Sequence, residues 1–227
     1  MTTTLVAPRA SQVSVRNSSI PDTINGMIDE LMESLPDPKL LTNSERRSII
    51  ARYTSVLEGN FIYWMTATLM AAKSEEAHPI LLENLHEEVT EAHPIMMRKF
   101  AIAASAYPDA SDALEVDEDL ARMRRFLGKL LGVQSLLTMA FFEGFIQRFM
   151  GYLAELAAGL GSTEMEYTDV HGVCDIAHTA GLFRAFEIER SGHPIDSETD
   201  LFEGVNLLRS VISTIVFGPA VAVSAAA

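Results

Sequence analysis

Residues 171–178, HGVCDIAH, place two histidines and an aspartate in an otherwise apolar, alanine-rich stretch. At helical spacing His171, Asp175 and His178 fall at i, i+4 and i+7, so all three side chains project from one face. Such groups on a face that should pack a core must be satisfied by polar neighbours or used as ligands. Two other segments pose the same question. In SLLTMAFFEGFIQRFM, Glu143 shares a face with Leu136, Met139, Ala140, Ile146 and Met150. That stripe reads as core, and a lone buried carboxylate must be protonated, paired with a cation or bound to a metal. The stretch HPILLENLHEEVTEAHP offers Glu83, His86, Glu87, Glu88, Glu91 and His93. Glu88 lies on the side of Leu81 and Leu85, whereas Glu87 looks toward Glu83 and solvent. Pro94 disfavours continuing the helix through His93, and a break there would swing the imidazole toward Glu88. Glu58, in VLEGNFIYWM, has Ala51, Phe61, Ile62 and Met65 on its side.

Each feature has an ordinary alternative. A buried glutamate in a helical bundle often pairs with arginine or lysine, a core histidine is often just hydrogen-bonded, and acidic runs are mostly solvated surface. Basic residues are scarce here, however, and none falls on the inferred faces of Glu143 or the 171–178 cluster. Three segments offering nitrogen and oxygen donors point instead to metal. The set suits Fe(II) or Mn(II) better than structural zinc, which prefers cysteine. Six donors exceed what one ion with open positions needs, and are about right for two. Carboxylate-bridged pairs in four-helix proteins are built from such inward-facing groups. The ferritin-like version places a Glu-x-x-His on each of two helices, an arrangement these six residues do not follow.

Taken together, ENLHEE followed by His93, the mid-helix Glu143, and His171-x3-Asp175-x2-His178 resemble the haem-oxygenase-like dimetal oxidases. The resemblance covers roughly residues 45 to 190, and the His-x3-Asp-x2-His motif is its most specific part. It implies an all-α, single-domain, seven-helix haem-oxygenase-like bundle that binds no haem. It also implies two Fe(II) ions held by Glu88, His93, Glu143, His171, Asp175 and His178, with O2 as cosubstrate. Glu58 would be an extra carboxylate ligand, of the kind seen in N-oxygenating members, or a group just outside the coordination sphere. One departure concerns the first motif. The family often has a longer, glycine-containing gap between glutamate and histidine, and here only Val89, Thr90, Glu91 and Ala92 intervene. Choosing Glu88 over Glu87 rests on the Asn84-Leu85-x-x-Glu88 register and on the apolar face.

The family's chemistries include fatty-acid decarboxylation to alkenes, N-oxygenation of amines, and desaturation or fragmentation of amino acids. The expectation here is a small carboxylate substrate, a free aliphatic amino acid, oxidised by C–H desaturation or C–N cyclisation in specialised metabolism. Its motive is Arg209, the single basic residue of the apolar last helix, as a receiver for the substrate carboxylate; a surface salt bridge to Glu203 is the alternative. Phe141, Phe142, Phe145, Phe149 and Met150 would line a small pocket. An amine N-oxygenase, a fatty-acid decarboxylase and, from another class, a non-catalytic helical partner-binding protein stay open.

The elements that must position these groups are helical throughout. Apolar residues recur at three and four positions, and no alternating strand pattern stands out. Seven helical segments are expected, at roughly 22–35, 43–73, 78–91, 94–107, 116–158, 164–190 and 197–217, the long fifth being one helix or two with the bend at Gly132, and Ser197 the last N-cap. Pro21, Pro36, Pro38, Pro79, Pro94, Pro108 and Pro194 fall at or near their boundaries. The chain's 227 residues, 48% hydrophobic, suffice for one domain with a sizeable core. With 17 basic against 31 acidic residues, a net charge of −14 argues against nucleic-acid and anionic-membrane partners. A single cysteine, Cys174, rules out an internal disulfide and suits a reducing cytoplasm. Residues 1–21 read as a flexible Ser/Thr-rich arm without the apolar core of a signal peptide, ahead of a helical oxidase domain at 22–227. The apolar C-terminal stretch, interrupted by Gly218 and Pro219, reads as a core helix with a frayed tail. Homodimerisation is left open.

Overall fold

The computed structural model describes residues 19–219, and all regular structure among them is α-helical. The arm expected at the N-terminus, apart from its last residues, and the frayed tail beyond 219 lie outside the described residues. Among the described residues nine helices follow one another: α1 (Ile20–Ser34), α2 (Asn43–Leu57), α3 (Phe61–Ala71), α4 (His78–Thr90), α5 (His93–Ala103), α6 (Ala110–Leu127), α7 (Gly132–Gly159), α8 (Glu166–Gly192) and α9 (Glu203–Phe217). None of the described helices is long and apolar enough to cross a membrane.

The helix count exceeds seven because two expected segments are broken. The 43–73 segment stops at Leu57, where Gly59 takes φ +76° and α3 restarts after Asn60. A glycine in the left-handed region is the common way to end a helix. The 116–158 segment parts between Leu127 and Gly132, where Leu130 adopts φ +52°. Capping sets other boundaries. Ser19 and Asp22 form a reciprocal capping box, so α1 takes in Ile20 and Pro21, two residues that the sequence assigned to the arm. Thr42 with Glu45 and Asp109 with Asp112 do the same for α2 and α6. Ser197 does not cap the last helix, which begins only at Glu203.

Helix α7 is the axis of the molecule. It is buried on nearly every side, as expected of a helix apolar all round, and packs most extensively against α8. Helices α1, α2, α3 and α9 also lie against α7, while α4 and α5 pack on α8. The start of α7 is clamped tightly. A Cβ on Gly132 would lie 2.7 Å from Glu189 Oε1 and 2.8 Å from the Ala71 carbonyl oxygen. The buried Glu189 carboxylate of α8 in turn accepts the Lys73 and Ser74 amides after α3, at 2.8–3.1 Å. This contact fixes the two ligand-bearing helices α7 and α8 against the α3–α4 connection.

Candidate metal centre

Four helices, α4, α5, α7 and α8, bring six donor side chains together. Helix α8 contributes His171, Asp175 and His178, all at least 95% buried, while Val173 and Ile176 between them face outward. One face of α8 therefore carries the polar groups inward, as the i, i+4, i+7 spacing dictates. Helix α7 contributes Glu143, 1% exposed, with Leu136, Met139, Ala140, Ile146 and Met150 buried around it. Glu88 comes from α4 and His93 from the start of α5. Between them the chain turns at Ala92, a non-glycine residue at φ 59°, with Pro94 in the first turn of α5. That turn folds His93 back, so its Nδ1 lies 2.9 Å from Glu88 Oε1.

The donors form two adjoining groups. One ligand atom each from Glu88, His93 and His171 lies within 4.8 Å of the others, as does one each from Cys174, Asp175 and His178. Glu143 lies close enough to both Asp175 and Glu88 to feel their charges. The His93 and His171 rings meet edge to face with centroids 4.3 Å apart. No lysine or arginine is bonded to Glu88, Glu143 or Asp175 among the described residues.

The electrostatics are those of buried carboxylates with no cation beside them. Burial, then the charges of Asp175 and Glu88, pushes the Glu143 carboxyl well above its ordinary range. Asp175 is pushed up to about 8, chiefly by burial and by the Glu88 charge. Burial drives His171 down to about 4, so this imidazole is neutral at pH 7, the form that can ligate. Burial also works to lower His93, but its hydrogen bonds to Glu88 and Glu91, with their charges, outweigh this and hold it above its usual value. Of the nine buried side-chain polar atoms without a hydrogen-bond partner among the described residues, three belong to this cluster: Glu143 Oε1, Asp175 Oδ2 and His178 Nδ1. Buried donors and acceptors are almost always paired, so three orphans in one cluster mark the place of a missing partner. All three are lone-pair-bearing N or O atoms, and they fit divalent Fe or Mn.

A cleft of about 30 Å³ reaches this cluster. Leu57, Phe61, Ile62, Pro94, Met97 and Ile146 form its apolar wall, and Glu88, His93, Glu143, His171 and Asp175 its polar floor. The pocket expected from the phenylalanines of α7 is not there. Phe142 packs on Trp64 and Phe61, while Phe145 and Phe149 stack toward Tyr152, all inside the core.

Two sequence candidates lie elsewhere. Glu58 ends α2 and is bonded to Arg98 and to the Tyr107 hydroxyl, outside the cleft lining. Its expected alignment with Phe61, Ile62 and Met65 presumed one continuous helix, which breaks at Glu58 itself. Arg209 is a third exposed and faces Glu30 of α1 at 3.4 Å; Glu203 is taken by Lys129 at 2.6 Å. Arg209 does not line the cleft either. Two Glu-x-x-His spacings, Glu75–His78 and Glu83–His86, also stay outside the cluster: both glutamates are exposed, and His78 is bonded to the Ala72 carbonyl.

Sequence reasoning missed several neighbours. Glu87 is not simply solvated, because its Oε2 accepts from His178 Nε2 at 2.7 Å. The Cys174 thiol, kept protonated by burial, donates to Asp175 Oδ1 at 3.3 Å. The Tyr53 and Tyr167 hydroxyls are 2.7 Å apart and buried, and the Tyr167 ring lies 4.3 Å from that of His171. Tyr167 sits four residues before His171, a spacing that shows in the sequence but draws notice only once His171 is known to be buried. No known protein family matches the chain, and neither does any curated protein or solved structure.

Proposed function

We propose that this chain is a non-haem dimetal oxidase of the haem-oxygenase-like kind, using two Fe(II) ions and O2 to oxidise a small aliphatic substrate. The observation that carries the reading is the set of partnerless, buried ligand atoms on Glu143 and Asp175, at the floor of an apolar cleft, and on His178 beside Asp175. Glu88, His93 and His171 would hold one ion and Asp175 and His178 the other, with Glu143 between them. When bound, such a pair supplies O2 reduction and the oxidising power to break an unactivated C–H bond.

The chain's own residues do the rest. His171 donates its Nδ1–H to the Tyr167 carbonyl at 2.8 Å, which fixes the ring and turns Nε2 inward. Leu57, Phe61, Ile62, Met97 and Ile146 form the apolar wall that keeps bulk water from the cluster. Tyr53 and Tyr167 are held well above the usual phenol range by burial, and stay protonated beside the ligands. No lysine or arginine lines the cleft among the described residues, so the polar end of the substrate is oriented by the ligand cluster rather than by Arg209. An aliphatic amino acid fits that description, as do a fatty acid and an alkyl amine.

The test is anaerobic Fe(II) loading and a pulse of O2, with mass spectrometry of products from a panel of amino acids, fatty acids and amines. A product shifted by loss of two hydrogens, loss of CO2 or gain of oxygen supports the reading and selects the substrate class. O2 consumption indistinguishable from free Fe(II), with every panel member unchanged, contradicts it.

A further inference from the structure

Each histidine of the cluster has at least one ring nitrogen tied to an acceptor, and His93 has both, its Nδ1 lying 2.9 Å from Glu88 Oε1. His171 uses Nδ1 on the Tyr167 carbonyl, and His93 has Nε2 at 3.3 Å from Glu91 Oε2. His178 is tied most firmly to a side chain from another helix, with Nε2 2.7 Å from Glu87 Oε2 of α4. A carboxylate only accepts, so the proton of His178 sits on Nε2 and the lone pair on Nδ1. That Nδ1 is buried and without a hydrogen-bond partner, and lies 3.7 Å from Asp175 Oδ1.

We infer that Glu87 is a positioning residue for the second metal position, and that His178 ligates there through Nδ1. Glu87 sits at the edge of the cluster, its side chain 39% exposed, whereas His178 is 4% exposed. It therefore acts from outside the coordination sphere. It orients the ring, selects the tautomer and makes the imidazole a stronger donor, as carboxylates behind metal-bound histidines do. Adjacent residues of α4 divide the work: Glu88 faces inward as a ligand, and Glu87 holds a ligand that belongs to α8. The pair thereby couples α4 to α8 across the site.

This inference rests on the dimetal reading, and one experiment separates the two. The full chain, freed of metal by chelation, is titrated anaerobically with Co(II), read by its visible ligand-field bands, for wild type, Glu87→Gln and Glu87→Ala. Gln retains an amide oxygen that accepts from Nε2–H, whereas Ala has none. Weaker binding of the second ion by about 10–100-fold in Glu87→Ala, with Glu87→Gln close to wild type, supports the inference. Binding in Glu87→Ala as tight as wild type overturns it. Equal damage in both variants also overturns it, because a direct anionic ligand is lost in each. Failure of the wild type to bind Co(II) removes the metal reading itself, and this inference with it. The half-exposed position of Glu87 leaves both variants folded, which their metal-free melting curves verify.

Discussion

Glu143 shows how much of the account rests on one side chain. It is the only acidic residue among the buried residues of α7, and no basic residue neutralises it. Burial and two carboxylate neighbours keep its proton on in the metal-free chain. Removing an unpaired buried polar group in favour of a similar apolar volume is often neutral or stabilising. Glu143→Leu is therefore expected to abolish uptake of one or both ions, yet leave the metal-free protein as stable as wild type or more so, by up to about 2 kcal/mol. Calorimetric melting in chelator and a metal titration together test this; a strongly destabilised metal-free variant counts against it. Glu143 was legible in the sequence because its face is a long apolar stripe, and His171, Asp175 and His178 because their spacing matches the helical period. Glu87 was misjudged for a physical reason. Periodicity assigns a residue to a side of its own helix, but cannot say that another helix brings a histidine to that side.

At the scale of elements, the sequence revealed helices but not all of their ends. Gly59 ends α2 and Gly128 ends α6 although apolar periodicity runs on either side of both. A continuous helix would put Glu58 on the face of Phe61 and Ile62; the break turns it to Arg98. Gly132 was read as a bend and is more than that. Its missing Cβ lets α7 start against Ala71 and Glu189. Gly132→Ala pushes a methyl into a backbone carbonyl and a buried carboxylate, and is expected to destabilise the fold by about 1–3 kcal/mol. Urea denaturation of metal-free protein measures this, and a variant as stable as wild type would show that the clamp yields easily. Because α7 and α8 carry four of the six donors, the same variant should also weaken metal binding.

For the molecule as a whole, the fold is built around a cluster whose buried carboxyls hold their protons when metal is absent. This makes stability depend on pH in a definite direction. Asp175 titrates at about 8 in the fold, against about 3.9 in an unfolded chain. Across that interval the folded state binds the extra proton, so rising pH lowers stability. Glu143 acts in the same sense. His171, depressed to about 4 from about 6.5, acts oppositely: its contribution is present above pH 6.5 and is lost as pH falls toward 4. Between about pH 6.5 and 8 only the first effect operates, reinforced by His93, whose raised value favours the fold at lower pH. In chelator the melting temperature should therefore fall from pH 6.5 to 8. Saturating Mn(II) should remove or reverse the trend, since ligation needs deprotonated donors. A melting temperature that rises over this range in chelator would contradict the assigned electrostatics.

Which helices would meet around α7 was not legible, because that depends on long-range packing that no local pattern encodes. The donors reach one cluster only through it, and the central claim is that this cluster holds two ions. Anaerobic titration of chelator-treated protein with Fe(II), followed by desalting and elemental analysis, measures it most directly. The account predicts saturation at about two ions per chain with a raised melting temperature, as binding to the folded state alone requires. Saturation at zero, or at one under excess Fe(II), would contradict it.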